Sequence, residues 1–234
     1  MKQTIDSKKI FTDGWSVYQK VLNENYMFHH EIYSQLNDFI KRHFRDKTIS
    51  VLDLGCGDAS QITKAFNGAH VDSYFGCDLS DEALKRAKAN LVSLTSKIAL
   101  VCEDMLEVLE KTHTKFDVIF TSYAVHHLNH EKKRLFFAFA KNVLVDSGCI
   151  VLVDVTRAVD ETQDQYLDHY LKHVKSHWLV LNDQEFKLIN DHVRSSDFPE
   201  TLSGYKKLAH DAGFKSFEVL AKHTWHYGYS IFKE

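Results

Sequence analysis

A short segment with two closely spaced glycines carries the clearest capacity for chemistry in this sequence. Residues 50–60 begin with the apolar run of a buried parallel strand and then turn at Gly55 and Gly57. Because glycine has no Cβ, a ligand can lie directly on the backbone there. A helical pattern follows and ends at Gly68. In an open α/β sheet, a strand, a glycine turn and a helix form a ligand crevice at the carboxyl edge of the strands.

The glycine pattern distinguishes between two classes of ligand. A dinucleotide-binding turn would carry a third glycine where this chain has Ser60. The pattern Asp53-x-Gly55-x-Gly57 instead resembles motif I of the class I S-adenosylmethionine (SAM) methyltransferases, whose turn receives the methionine end of SAM. Ala59 departs from the third glycine that is common in that family. The resemblance implies SAM as the cofactor and S-adenosylhomocysteine (SAH) as the product.

Acidic residues at the ends of two further strands extend the resemblance. Asp78 ends the second predicted strand, where a carboxylate can accept hydrogen bonds from both ribose hydroxyls. In the family, an acid after the third strand accepts from the adenine amino group and the next backbone N–H reaches a ring nitrogen, positions matched here by Asp104 and Met105. The predicted cofactor-binding residues are Asp53, Gly55, Cys56, Gly57, Asp78, Leu79, Asp104, Met105 and Thr121, with Tyr18 and Tyr26 from an N-terminal cap.

The loop after the fourth predicted strand, residues 121–128, faces the reacting methyl group in the resembling family. Methyl transfer is an in-line displacement, so the enzyme mainly supplies alignment and excludes water. A base is needed only where the nucleophile carries a proton, and an imidazole suits that role near neutral pH. We predict His126, His127 and Tyr123 as catalytic candidates. A capping or pocket-lining role for one of the two histidines stays open.

The segment 156–201 is longer than a crossover between strands requires and is helical in pattern. Its aromatic and basic side chains predict a lid over the acceptor, and the arginines could receive an anionic group. The predicted substrate-contacting residues are Tyr166, His169, Tyr170, His173, Arg157 and Arg194. His169, His173 and His177 share one helix face. Such a stripe could bind a metal but is more often a polar surface, so we predict no metal site.

Strands that alternate with helices predict a parallel sheet. A helix ending near Gly213 and strands at 214–220 and 227–232 resemble the end of the methyltransferase fold, whose last strand is antiparallel. The predicted fold is therefore α/β: a Rossmann-like, mostly parallel seven-stranded sheet with helices on both faces. We predict one domain over residues 1–234, divided into a helical cap (1–46), a SAM-binding core (47–155), the lid (156–201), and a closing helix with two strands (202–234).

Composition limits the partners and the compartment. The chain of 234 residues has a formal net charge of −3 and no strongly basic segment, so DNA is not a predicted partner. Four cysteines lie in or beside predicted strands without metal-ligand spacing, which predicts small buried thiols in a reducing compartment. No apolar run could span a bilayer. The prediction is a cytoplasmic protein without a membrane partner, and a homodimer stays open.

These patterns together favour a SAM-dependent methyltransferase that modifies O, N or C of a small-molecule acceptor. The His-His-Leu step after the fourth strand is frequent in the small-molecule branch, which includes ubiquinone/menaquinone-type methyltransferases. Two alternatives stay open: a methyltransferase acting on tRNA or protein, and a SAM-binding regulatory protein without turnover. A NAD(P) dehydrogenase is disfavoured because the third glycine is missing and the chain ends differently.

Overall fold

The computed structural model describes residues 14–234, and predictions that concern residues 1–13 lie outside the described residues. The strands are β1 (Thr48–Leu54), β2 (His70–Cys77), β3 (Ile98–Val101), β4 (Phe116–Ser122), β5 (Leu144–Arg157), β6 (Glu200–Thr201), β7 (Ser216–His223) and β8 (His226–Phe232). The helices are α1 (Trp15–Asn23), α2 (His29–His43), α3 (Ile62–Ala65), α4 (Asp81–Asn90), α5 (Met105–Lys111), α6 (His130–Val143), α7 (Gln163–His177), α8 (Asp183–Ser196) and α9 (Leu202–Asp211).

The main sheet confirms the predicted topology. Its strand order is β3-β2-β1-β4-β5-β8-β7, and the short β6 pairs with β5 outside this path. Strands β1 to β5 pair in parallel, whereas β8 is antiparallel to both of its neighbours. The two-residue β6 was not predicted, because a strand of that length leaves no periodic pattern in the sequence. The parallel order brings the carboxyl ends of β1, β2 and β4 to one edge.

Apolar residues cover both faces of the sheet. One core cluster joins the sheet to α5, α6 and α9, and a second joins it to α2, α3 and α4. The central strand β1 is buried on both sides, with Ile49, Val51, Leu52 and Leu54 all at 0% exposure. This explains why it has a continuous apolar run instead of an alternating pattern. A third cluster joins α1 to the lid helices α7 and α8.

Polar side chains cap the N-terminal ends of α4 and α6. Ser80 caps α4 by accepting from the Ala83 N–H, and Asn129 caps α6 by accepting from the Lys132 N–H. The predicted N-terminal helical cap contains two helices, α1 and α2. They are separate because Asn25 and Phe28, which lie between them, adopt positive φ. Among residues 14–234, no helix combines the length and the apolar character needed to cross a membrane.

Two local predictions were wrong. The sequence Asp-Ser-Gly at 146–148 predicts a turn before the fifth strand, but β5 begins at Leu144 and passes through these residues with a register irregularity opposite β4. Gly148 permits this path, since an added Cβ would lie 3.0 Å from the carbonyl oxygens of Asp117 and Val145. Cys102 was expected to be buried and is exposed, because it follows the end of β3.

Candidate active site

The glycine turn after β1 is built around an open backbone surface. Gly55 and Gly57 have φ angles of 70° and 54°, a region that favours glycine. A Cβ added to Gly57 would meet no atom of residues 14–234 within 4 Å, whereas one added to Gly55 would lie 2.6 Å from the Cβ of Ala124. Gly57 therefore borders free space, and the loop after β4 closes against Gly55. This cradle fits a ligand that lies on the backbone.

Ala59 also adopts a left-handed conformation, with φ of 53°. This position corresponds to the third glycine of the resembling motif. For a residue with a Cβ, the left-handed conformation costs about 1 to 2 kcal/mol. The backbone thus requires at Ala59 the conformation that a glycine would adopt without strain.

Asp78 connects the glycine turn to the end of β2. One carboxylate oxygen accepts from the Gly57 N–H at 2.8 Å, and the other accepts from the Ser80 N–H at 2.8 Å. Burial raises the pKa of Asp78, although these backbone hydrogen bonds act in the opposite direction. Each oxygen keeps a second lone pair, so the carboxylate can still accept from ribose hydroxyls.

Asp53 lies near the end of β1, two residues before Gly55. Its carboxylate accepts from the Tyr74 hydroxyl at 2.7 Å, and only 2% of the residue is exposed. Burial raises the pKa of Asp53 to about 7, even though the Tyr74 hydrogen bond lowers it. Thr121, also buried, donates to the Leu54 carbonyl at 2.8 Å and so joins the end of β4 to that of β1. Both side chains hold the turn in place.

The remaining predicted cofactor residues fall into two places. Asp104 accepts from the Leu106 N–H at 2.8 Å as the N-cap of α5, and the side chain of Met105 extends to Gly55. Tyr18 belongs to the same region: burial raises its pKa, and the charges of Asp58 and Asp78 raise it further.

Tyr26 lies instead at the lid. Its ring stacks on Trp178 with centroids 5.1 Å apart, and its hydroxyl accepts from the Val180 N–H at 3.4 Å. Leu79 is exposed beside Asp78, and Cys56 carries a thiol whose pKa is raised by burial.

Two of the three catalytic candidates of the β4 loop, His126 and His127, lie side by side on a short 3-10 helix, Val125–His127. The ring centroids of His126 and His127 are 4.0 Å apart. The Nδ1 atom of His126 lies 2.5 Å from a carboxylate oxygen of Asp154, whose other oxygen accepts from the Tyr205 hydroxyl at 2.9 Å. A carboxylate at Nδ1 favours the Nδ1–H tautomer and directs the lone pair of Nε2 to the opposite side.

A second carboxylate reaches this opposite side from the lid. Asp197 follows α8 and is buried, and its Oδ1 lies 3.7 Å from Nε2 of His126 and 3.3 Å from Nδ1 of His127. His192 of α8 places its Nε2 4.0 Å from the same oxygen. We call His126, His127, His192 and Asp197 the imidazole–carboxylate cluster.

Charge within the cluster shifts its pKa values in opposite directions. Burial by itself lowers the pKa of His126, but the charges of Asp154 and Asp197 outweigh it and the pKa is raised. Burial by itself raises the pKa of Asp197, but the nearby imidazoles outweigh it and the pKa is lowered. For His192, burial dominates and lowers the pKa to about 4. The two opposite shifts have a common cause, which is the proximity of His126 to Asp197.

Hydrogen bonds join the end of the lid to the loop that follows β4. The Phe198 N–H donates to the His126 carbonyl at 2.7 Å. The buried amine of Lys133 donates to the carbonyls of Leu128 and Phe198. Burial lowers the pKa of Lys133 to about 8. These contacts hold the residue that follows Asp197 against the histidine pair.

An aromatic interior lies beside the cluster. Tyr123, with φ of 52°, donates its hydroxyl hydrogen to the Met27 carbonyl at 2.7 Å, and its ring contacts those of His29 and His226. Nδ1 of each of these two histidines is buried without a hydrogen-bond partner among the described residues. Burial lowers the pKa of both to about 3, so both imidazoles are neutral near pH 7. The contacts of Tyr123 support a positioning role for it.

The predicted substrate residues of the lid divide into an inner and an outer group. Tyr166 and Tyr170 are buried and stack with centroids 5.6 Å apart, and Tyr170 contacts the ring of His226. His173 packs its ring against Trp225 at 5.3 Å. In the outer group, His169 is exposed and pairs with Glu161, Arg194 pairs with Asp168 at the surface, and Arg157 donates to the carbonyls of Pro199 and Glu161.

Several residues of the site were not anticipated from the sequence, namely Asp154, Asp197, His192, His29 and His226. Asp154 had an available signal, because it ends the predicted fifth strand in the way that Asp78 ends the second. The other four come from the N-terminal cap, the lid and the closing hairpin. Their approach to the β4 loop depends on tertiary packing that no local pattern encodes.

Comparison with known proteins agrees with this geometry. Residues 51–148 match a family described as a methyltransferase domain. Juvenile hormone acid O-methyltransferase from Bombyx mori is 30% identical over 183 residues, which cover 74% of this chain and 59% of that protein. Carboxy-S-adenosyl-L-methionine synthase from Campylobacter hominis is 23% identical over 210 residues, which cover 88% of this chain and 86% of that protein. The chain spans 28%, 37% and 59% of the length of three curated relatives that it matches.

Solved structures support the same fold. The plantazolicin methyltransferase BpumL, determined in complex with SAH, superposes with a TM-score of 0.65 at 16% identity, covering 99% of this chain and 92% of that one. Residues 51–148 therefore match a methyltransferase domain, and the fold of the described residues is that of the class I SAM-dependent methyltransferases. The resemblance to the ubiquinone/menaquinone-type branch stays a prediction.

Proposed function

We propose that this protein transfers a methyl group from SAM to an O, N or C atom of a small-molecule acceptor held beneath the lid. The observation that carries the proposal is the open backbone at Gly57, which is tied to Asp78 and lies next to the loop of His126 and His127. A donor-binding turn and a cluster of proton-accepting side chains thus occupy adjacent strand ends.

Each part of the site has a defined task in this proposal. SAM, when bound, supplies an electrophilic methyl carbon on a positively charged sulfur. The glycine turn and Asp78 bind the donor, and Asp104 with Met105 borders its adenosine part. As the nucleophile–carbon bond forms and the sulfur–carbon bond breaks, the imidazole–carboxylate cluster receives the proton of a protonated nucleophile. Lys133 and the Phe198 backbone hold the lid closed over this region.

The interior beneath the lid favours a largely apolar acceptor with few polar groups. Tyr123, Tyr166 and Tyr170 present aromatic surface, and the neutral imidazoles of His29 and His226 offer unpaired polar atoms. A buried polar atom without a partner is costly, so an acceptor that supplies the missing hydrogen bond gains affinity. Two similar proteins are named for juvenile hormone acid and plantazolicin, which supports a discrete acceptor molecule for this chain as well.

A transfer assay tests the proposal. Purified protein would receive SAM labelled at the methyl group together with pools of apolar carboxylic acids, phenols, amines and quinols. Bulk tRNA and a denatured protein extract would form separate arms. We expect label in a small-molecule pool, with equivalent formation of SAH. Label confined to tRNA or protein would contradict the acceptor class. SAM binding without transfer in any arm would favour the non-catalytic alternative.

A further inference from the structure

We propose that the imidazole–carboxylate cluster is a binding site for a divalent transition-metal ion. Nε2 of His126, Nδ1 of His127 and Oδ1 of Asp197 are the ligands. The sequence analysis predicted no metal site, and it weighed only the histidine stripe of α7 as a candidate. Among residues 14–234, the three proposed ligands form the one group of His, Cys, Asp or Glu side chains whose ligand atoms all lie within 4.8 Å of one another.

The distances in the cluster suit a shared ion better than direct hydrogen bonds. A strong N–H···O bond spans about 2.7 to 3.2 Å. Oδ1 of Asp197 lies 3.3 Å from His127, 3.7 Å from His126 and 4.0 Å from His192. Ligand atoms at about 2.0 to 2.1 Å from a tetrahedral ion are about 3.3 to 3.4 Å apart. A small contraction therefore brings the three ligands to bonding distance.

Unpaired polar atoms point to the same conclusion. Oδ1 of Asp197 is buried, since the residue is only 6% exposed, and it has no hydrogen-bond partner among the residues that the structure describes. Nδ1 of His192 is likewise buried and unpaired among the described residues. Leaving a buried carboxylate oxygen unpaired is costly. An ion bound by Asp197 removes that cost.

The residues behind the ligands have the arrangement expected around a metal. Asp154 binds Nδ1 of His126 and leaves Nε2 as the lone-pair donor that a metal requires. Tyr205 in turn holds Asp154. Two imidazoles and one carboxylate are a ligand set used by zinc and by other first-row transition metals. His127 would exchange its contact with the Ser196 carbonyl, at 3.2 Å, for the ion.

Such an ion would join the lid to the core, because the histidines follow β4 and Asp197 follows α8. Three protein ligands leave a further coordination position, as in catalytic zinc sites. We assign that position to an oxygen of the acceptor, which the ion would hold in its deprotonated form after the proton has passed to solvent. With the ion bound, the two liganding histidines would position the acceptor instead of receiving its proton. This last assignment rests on the proposed function, whereas metal binding itself does not.

Calorimetry with zinc ion and the tag-free full chain tests the site, since a polyhistidine tag would itself bind zinc. We expect one ion per chain and loss of that binding in Asp197→Asn and in His127→Gln. Asp154→Asn should weaken it about 10- to 100-fold, because it removes only the support of a ligand. His130→Gln is the matched control: His130 is exposed and lies 3.3 Å from Glu200, so stoichiometry and affinity should not change.

Circular dichroism and SAM binding, measured on every variant, separate the possible failures. A folded Asp197→Asn or His127→Gln that still binds one zinc ion with the affinity of the unmodified chain would overturn the proposed site. Absence of zinc binding by the unmodified chain would do so too. If zinc binds as expected and SAM does not, the metal site stands and the proposed function fails.

Discussion

A carboxylate oxygen of Asp78 accepts a hydrogen bond from the backbone N–H of Gly57 at 2.8 Å. This bond joins the turn after β1 to the end of β2, and so fixes the backbone on which the methyl donor is expected to lie. The same carboxylate is the predicted ribose ligand. One side chain thereby shapes the cradle and contacts its occupant.

Replacement of Asp78 by Asn should weaken SAM binding about 10- to 100-fold, because a hydrogen bond to a charged group contributes about 1.5 to 3 kcal/mol. Isothermal calorimetry measures the effect. Ser80→Ala is a suitable control, since it removes the cap of α4 but keeps the Ser80 N–H that Asp78 binds. Equal losses of affinity in both variants would indicate a general disturbance of this loop instead of a direct contact.

Replacement of Gly57 by Ala should abolish SAM binding, since the added Cβ enters the free space of the cradle. Gly68→Ala provides a control with a similar backbone penalty, because Gly68 also has a positive φ, of 82°, and its added Cβ would meet only the flexible Lys41 side chain. We expect each variant to lose about 1 kcal/mol of unfolding free energy. Only Gly57→Ala should lose SAM binding. If that variant kept its affinity for SAM, the proposal that SAM lies on the backbone at Gly57 would be wrong.

The pKa of His126 should fall when Asp154 is replaced by Asn, because the charge that most opposes the effect of burial is removed. NMR titration of labelled histidine side chains would follow this ring. Tyr205→Phe keeps the Asp154 charge while removing its hydroxyl partner, so it should leave the pKa of His126 raised. An unchanged titration in Asp154→Asn would mean that the short contact seen here does not persist in solution.

His226 should make the fold sensitive to acid. Its pKa is lowered to about 3, chiefly by burial, whereas an unfolded histidine titrates near 6.5. The unfolded chain therefore binds the extra proton first, and stability is lost as the pH falls below about 6.5. Between pH 7 and pH 5 this one group should cost about 2 kcal/mol.

The variant His226→Phe should lose correspondingly less stability over the same interval. Urea unfolding at both pH values gives the comparison. His43→Phe is a useful reference. His43 also contacts aromatic rings, but it lies at the end of α2 opposite to His29. An identical pH dependence in His226→Phe and the unmodified chain would contradict the neutral, buried state of His226.

The sheet could be predicted from the sequence because its signals are local. Each local feature can be recognised from a few consecutive residues: the apolar run of β1, the glycines after it, and the Ser80 and Asn129 caps. Asp78 could be predicted for the same reason, since it ends a strand at the edge where ligands bind in this class of sheet.

The acceptor side of the site could not be derived in this way. Asp197 reaches His126 only after two lid helices have packed on α1, and His226 enters the interior from the closing hairpin. These contacts join segments far apart in sequence. The sequence analysis assigned Arg194 and His169 to the acceptor from their residue types and their place in the lid segment. In the structure, their side chains pair with acids at the surface.

Binding of adenosyl ligands by the unmodified protein tests the central claim most directly. Calorimetry would compare SAM, SAH and NADH under the same conditions. We expect both adenosyl ligands to bind at one site per chain with micromolar dissociation constants, and NADH not to bind. Binding of NADH alone, or of none of the three by a folded chain, would contradict the assignment of this crevice to SAM.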